Sequence, residues 1–229
     1  MIDPTCDFGR WLKNKARSGQ RNAQPSALAL ALLMLTMIIA GASSGCGAAR
    51  PSKYYQLTIP DETTSAPAGD PTSVMLLVGN LLTSHLYRED RIVYSSSGGQ
   101  MGTYEYQRWT EPPAEMVEEV LVRELRASGR YRSVYAHRSN MGGDFLVRGR
   151  LYDFKEVSGS PIVAKVSFDL ELRDLKTGTM VWTHSYSHDE PVDGKNVSAV
   201  VAAIDRNVQR GVKEMVASLG EYFATRPGK

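Results

Sequence analysis

The run IVAKVSFDLELRDLKTGTMVWTHSY, residues 162–186, decides the architecture. Ile162, Ala164, Val166, Phe168, Leu170 and Leu172 alternate with Val163, Lys165, Ser167, Asp169, Glu171 and Arg173. A period of two places each set on one face of a β-strand. Lys176-Thr177-Gly178 has turn chemistry, and Met180, Trp182, His184 and Tyr186 resume the alternation on a returning strand. Upstream, Phe145, Val147, Gly149 and Leu151 alternate with Leu146, Arg148, Arg150 and Tyr152. These strands predict an antiparallel meander with one wet face, on which Arg148 and Arg150 stand across from Asp169 and Glu171.

Working outward, the period changes to that of helices. Val201, Ile204, Val208, Val212, Met215, Leu219 and Phe223 make one apolar side of a helix over 198–223, with Arg206, Arg210 and Lys213 elsewhere on it. Pro112-Pro113 opens a second helix, since proline is tolerated in a first turn, where its missing N–H has no partner to lose. Met116, Val117, Val120, Leu121 and Leu125 line its apolar side, opposite Glu118, Glu119, Arg123 and Arg126, and Ser128-Gly129 ends it. Strands are predicted at 53–59, closed by Pro60, at 74–82, at 92–94 and at 103–107, with a turn over 95–102. Residues 61–73 (DETTSAPAGDPTS) have no period and read as a flexible loop. The expected fold is a single α+β domain over 53–224. In it a mainly antiparallel sheet carries two amphipathic helices on one face, and residues 225–229 form a tail.

The N-terminal part is of another kind. Residues 1–45 hold Arg10, Lys13, Lys15, Arg17 and Arg21 against Asp3 and Asp7, followed by an apolar run over 27–42 and the small residues Ser43-Ser44-Gly45. This is the layout of a signal peptide, and the run is shorter than the about 20 residues of a membrane-spanning helix. An uncleaved anchor is the alternative. Cleavage removes Cys6 and leaves Cys46 as the one thiol, which excludes an internal disulfide and calls for a covalent fate. Ser44-Gly45-Cys46 resembles a bacterial lipobox, with Ser43 in place of the usual Leu. Residues 46–52 are then a lipidated N-terminus with a short spacer, and Gly47 after the cysteine implies outer-membrane sorting.

The 27 Lys+Arg and 25 Asp+Glu of the chain become 22 and 23 once the leader is set aside. Interleaved, near-neutral charge offers no basic stripe for nucleic acid. His184 and His188 have the i, i+4 spacing of a zinc helix, but on a strand they stand about 13 Å apart, too far to share an ion. His85 and His137 fall in loops with no acid paired nearby in sequence. Gly41-Ala42-Ser43-Ser44-Gly45 matches a nucleophile elbow only in letters, because it lies in an export signal. Gly98-Gly99-Gln100-Met101-Gly102 lacks the Lys-Ser/Thr ending of a P-loop. No catalytic residue, metal ligand or cofactor is expected beyond a covalent lipid on Cys46. Tyr94, Tyr104, Tyr106 and Trp109 cluster at the turn and are the candidate partner surface, with core cover as the alternative.

Lys53-Tyr54-Tyr55-Gln56-Leu57, the apolar strand over 74–82, Leu86 to Tyr94 (LYREDRIVY) and Arg108-Trp109-Thr110-Glu111-Pro112-Pro113 together resemble the ABC-type transport auxiliary lipoproteins. These include the paraquat-inducible PqiC group of MCE lipid transport systems. The resemblance implies a non-catalytic adaptor, an outer-membrane lipoprotein facing the periplasm, with inner-membrane attachment as the alternative. Its implied partners are an MCE-domain protein and an ABC permease and ATPase, which would carry the ATP hydrolysis, since no Walker motif occurs here. Homo-oligomerisation is left open. A Thr-Gly-x-x-Val-Trp hairpin at Thr177 to Trp182 is similar to those of peptidoglycan-synthase activators and curli-type assembly lipoproteins, the second reading. A secreted hydrolase is the third.

Overall fold

The alternating stretch becomes the longest pair of ladders among the described residues. The computed structural model describes residues 50–61, 72–96, 99–139 and 141–225, together with Ala27, Leu28, Ala31, Leu32 and Met34, which are helical. The elements are β1 (Lys53–Tyr55), β2 (Thr72–Thr83), β3 (Arg91–Ser95), β4 (Met101–Trp109), α1 (Pro113–Ala127), β5 (Tyr131–Ala136), β6 (Phe145–Val157), β7 (Val163–Asp174), β8 (Met180–Pro191) and α2 (Val197–Thr225). The basic leader, the small residues before Cys46, Cys46 itself and residues 226–229 lie outside the described residues. So do 62–71 of the expected loop, while Thr72 and Ser73 open β2 instead.

β6 organises the sheet. β7 runs antiparallel along one of its edges, with Arg148 opposite Glu171 and Arg150 opposite Asp169, as the alternation predicts. The other edge is shared: parallel β2 takes residues 145–151, and parallel β3 takes 155–157. β5 adds parallel to β2, β4 antiparallel to β3, β1 parallel to β4 and β8 antiparallel to β7. The sheet is thus mixed, with most paired residues antiparallel. A register shift between Leu151 and Asp153 changes the inward phase of β6, so Leu151 and then Phe154 are buried. Leu76, Leu77 and Val78 of β2 are all buried, as expected of a central strand flanked by parallel neighbours.

The first strand is shorter than its sequence suggests. Only Lys53–Tyr55 pair; beyond them Thr58 finds its partners on α2. Its backbone N–H donates to Asp205 Oδ1 at 2.9 Å, its hydroxyl to Asp205 Oδ2 at 2.6 Å, and Gln209 Nε2 donates to its carbonyl at 2.6 Å. With Leu57 buried beneath it, this segment is a strap over the helix rather than a strand. Strand β5, without clean alternation in Tyr131–Ala136, has no counterpart in the sequence reading.

Both helices lie on one face, α1 over β2 and β5, α2 over β6, β7 and β8, in contact with each other. Every residue of the two predicted apolar stripes is buried. Glu118, assigned to the polar side of α1, is a correction: the buried arc is wider than the stripe and includes it at 4% exposure. Arg138, from a 3-10 turn at His137–Ser139, reaches Glu118 Oε1 at 3.2 Å. Burial pushes the Glu118 carboxyl up, and Arg138 pulls it part of the way back.

α2 is registered on the sheet by a buried polar side chain. Asn207, 0% exposed, accepts the Tyr186 hydroxyl at 2.6 Å and donates to the carbonyls of Ala164 and His188, each at 2.9 Å. One turn on, Gly211 lies against the Tyr186 ring, where a Cβ would come within 2.7 Å of it. At the end of β8, Arg206 and Arg210 meet the buried Glu190 carboxylate at 3.2 and 2.8 Å. Burial pushes Glu190 up, but the two guanidiniums outweigh it and hold the carboxyl below its ordinary range.

Asn207→Ala, which removes the amide's bonds to the Ala164 and His188 carbonyls and leaves the Tyr186 hydroxyl only the residue's backbone carbonyl at 3.2 Å, lowers the unfolding free energy in urea by about 2 kcal/mol. Gly211→Ala costs about 1–3 kcal/mol through overpacking. Because the folded Glu190 pKa lies below its unfolded value, its contribution is present above about pH 4.3 and lost as pH falls through the folded value. Glu190→Gln therefore flattens the acid limb of the urea midpoint plotted against pH; an unchanged limb would count against the pairing.

Candidate functional site

The tyrosines gathered by sequence around the turn come together in the structure. β3 and β4 form a hairpin in which Tyr94 is opposite Gly102, and β6 sets Glu156 beside Tyr94. The Tyr94 and Tyr104 rings pack at 5.2 Å between centroids. Gly102 leaves room for the Tyr94 ring, whose outer end a Cβ would approach to 2.6 Å and have to displace. The Tyr104 hydroxyl donates to Glu156 Oε2 at 2.6 Å, and the Ser158 hydroxyl donates to Oε1 at 2.7 Å. Glu156 is 5% exposed, so a buried carboxylate is held by hydroxyls. Burial and then the Glu156 hydrogen bond push the Tyr104 hydroxyl well above the ordinary tyrosine range, which keeps it a donor at neutral pH.

The four aromatic candidates divide. Tyr94, Tyr104 and Tyr106 are half-buried on the hairpin. A hydrogen bond to Glu105 raises the Tyr106 hydroxyl. Trp109 is a correction to the expected surface: at 1% exposure it is core, edge-on to Phe154 at 5.3 Å. Strand β4 passes from open edge to interior along its length, and Trp109 stands at the inner end, where β1 covers it on one side and β3 on the other.

Two of the histidines, His184 and His188, are tied to α2. His184 and His188 both lie on β8, as the strand period requires. His184 Nε2 is 3.0 Å from Glu214 Oε1, and its ring stacks on Trp182. His188 meets Arg210. His85 does have an acid partner, Glu89 at 4.0 Å, which overturns the sequence reading of it as unpaired. Among the described residues no three His, Cys, Asp or Glu side chains are grouped to hold a metal. No helix among them is long and apolar enough to cross a membrane.

Residues 55–216 match the family described as ABC-type transport auxiliary lipoprotein component. Among curated proteins none matches. The crystal structure of XCC0632 from Xanthomonas campestris, of the DUF330 family, superposes with a TM-score of 0.67 at 20% identity, over 75% of this chain and 97% of that one. A second crystal structure, of an uncharacterized protein, gives a TM-score of 0.59 at 14% identity, over 74% and 99% of the two chains. At such identities the likeness is one of fold.

Tyr104→Phe removes one of the two donors to the buried Glu156 and is expected to cost about 1–3 kcal/mol in urea unfolding. Glu156→Gln with Tyr104→Phe costs less than the sum of the single changes, because the pair is one interaction. Additive losses would show that the two side chains do not act together.

Proposed function

The chain belongs to the ABC-type transport auxiliary lipoprotein family, and from that membership we propose that it is a lipid-anchored, non-catalytic adaptor subunit of an MCE lipid transport system. The observation that carries the reading is the family match beginning at Tyr55, close behind the lipobox-like Ser44-Gly45-Cys46. Acyl chains on Cys46 hold the domain at the outer membrane, facing the periplasm. Each buried CH₂ contributes about 0.8 kcal/mol, and more than one chain is needed for a stable anchor. The partners are an MCE-domain protein and the ABC permease and ATPase that supply the transport energy.

The arrangement of polar groups supports an adaptor. Its strongest polar constellations close on themselves: Glu190 on Arg206 and Arg210, Glu156 on Tyr104 and Ser158, His184 on Glu214. Each satisfies a buried or half-buried group and positions an element of the fold. Such a domain offers surface to a partner more readily than it offers reactive groups to a substrate.

Two measurements test the reading. Metabolic palmitate labelling is expected in the wild type and absent in Cys46→Ala; equal labelling of both removes the lipid anchor. Mild crosslinking followed by purification from envelope fractions is expected to recover an MCE-domain protein or permease subunit. Recovery of a peptidoglycan synthase instead would move the protein to the envelope-assembly class.

A further inference from the structure

We propose that the β1–β4 edge of the sheet, with the hairpin end of β4, is the face held against the bilayer, so that the domain lies edge-on to a lipid surface. This rests on the lipidation of Cys46 proposed above. The direction follows from chain polarity. β1 pairs parallel to β4, Lys53 opposite Gln107 and Tyr55 opposite Trp109. The chain therefore enters the sheet from the side of the hairpin tip. The entry is pinned on its far side as well, because Thr58 is bound to Asp205 and Gln209 of α2.

The length of the tether decides how far the domain can turn. Only Gly47 to Ser52 separate the acylated residue from β1. Six extended residues span at most about 20 Å. That matches the run of β4 from Gln107 back to Met101, about 20 Å at strand rise. The opposite end of the sheet lies beyond this reach. From Phe154, which packs on Trp109, β6 runs back to Phe145 over roughly 30 Å, and the β7–β8 turn lies at that far end. A bilayer holding Cys46 thus meets the β1–β4 edge and not the β7–β8 turn.

The side chains on this edge have interfacial chemistry. Tyr54 is 61% exposed and Met101 38%, Tyr106 is half-buried on β4 and Tyr94 behind it on β3, and Arg50 and Lys53 are exposed where the chain enters β1. Tyrosines with an apolar body and a polar tip favour the headgroup level, and the two cations favour anionic headgroups. From Met101 to Tyr106 the outer edge of β4 has no strand partner among the described residues. Its backbone groups are therefore available to headgroups and interfacial water.

The test uses the full mature lipoprotein in vesicles of phosphatidylethanolamine and phosphatidylglycerol. Met101→Cys, Tyr54→Cys and, as control, Leu175→Cys in the exposed β7–β8 turn each carry an environment-sensitive fluorophore. Lipids spin-labelled near the headgroup are expected to quench at 101 and 54 several-fold more than at 175. Equal quenching at the three positions, or the strongest at 175, overturns the orientation. Protection of 101 from both lipid and aqueous iodide quenchers assigns the edge to a protein strand, a second copy or a partner, and also overturns it. The unsubstituted protein separates the two readings: fluorophore on Cys46 itself shows a free thiol and removes the tether, whereas an unlabelled, vesicle-bound protein with the wrong quenching pattern leaves the anchor and rejects only the edge.

Discussion

Asn207 is the constraint on which most of the molecule depends. A primary amide with no exposure is tolerable only when its donors and acceptor are all engaged, and here they meet Tyr186, Ala164 and His188 in one geometry. An apolar helix face would slide on the sheet at small cost, but these hydrogen bonds select one register. Gly211 enforces it sterically by admitting the Tyr186 ring. That register then decides what the exposed side of α2 does. Arg206 and Arg210 fall over Glu190, and Asp205 and Gln209 fall under Thr58. The strap between β1 and the rest of the chain is thus set by the same helix rotation that closes the core.

The second constraint is the division of β6 between two neighbours. Because β2 takes its first half and β3 its second, the β3–β4 hairpin is carried at one end of the sheet, while the helices pack chiefly over β2, β5, β7 and β8. At this corner a buried carboxylate is satisfied by neighbouring hydroxyls. Tyr104 and Ser158 do this for the buried Glu156, and the packing of Tyr94 on Tyr104 and Gly102 completes the corner. The domain therefore has a helix-covered body and a tyrosine-rich hairpin end, and β1 brings the chain in on the side of that end.

An auxiliary lipoprotein fits this division of labour. In the adaptor role proposed above, transport energy would belong to an ATPase elsewhere, and the domain would need a stable body, a short lead from its N-terminal segment and surfaces for partners. Its charged and hydroxyl groups are largely committed to holding helices and hairpin in place. The resemblance read from short motifs such as Lys53 to Leu57 and Arg108 to Pro113 coincides with the family match over residues 55–216.

The sequence by itself determined the elements whose period is sustained: the β6–β7–β8 meander with its Arg148/Glu171 and Arg150/Asp169 register, and both helices with their buried stripes. Repeated alternation or helical spacing is a local signal, legible without knowing the partner. It also held the family resemblance, which depends on residue identity alone. Only the tertiary structure decided the rest. Thr58 has strand propensity, yet its hydrogen bonds go to α2; Glu118 looks solvent-facing, yet Arg138 permits its burial; Trp109 reads as a surface aromatic, yet the strands flanking it make it core. Each outcome depends on a partner far away in sequence, and periodicity along one strand or helix has no term for the residue that arrives from another.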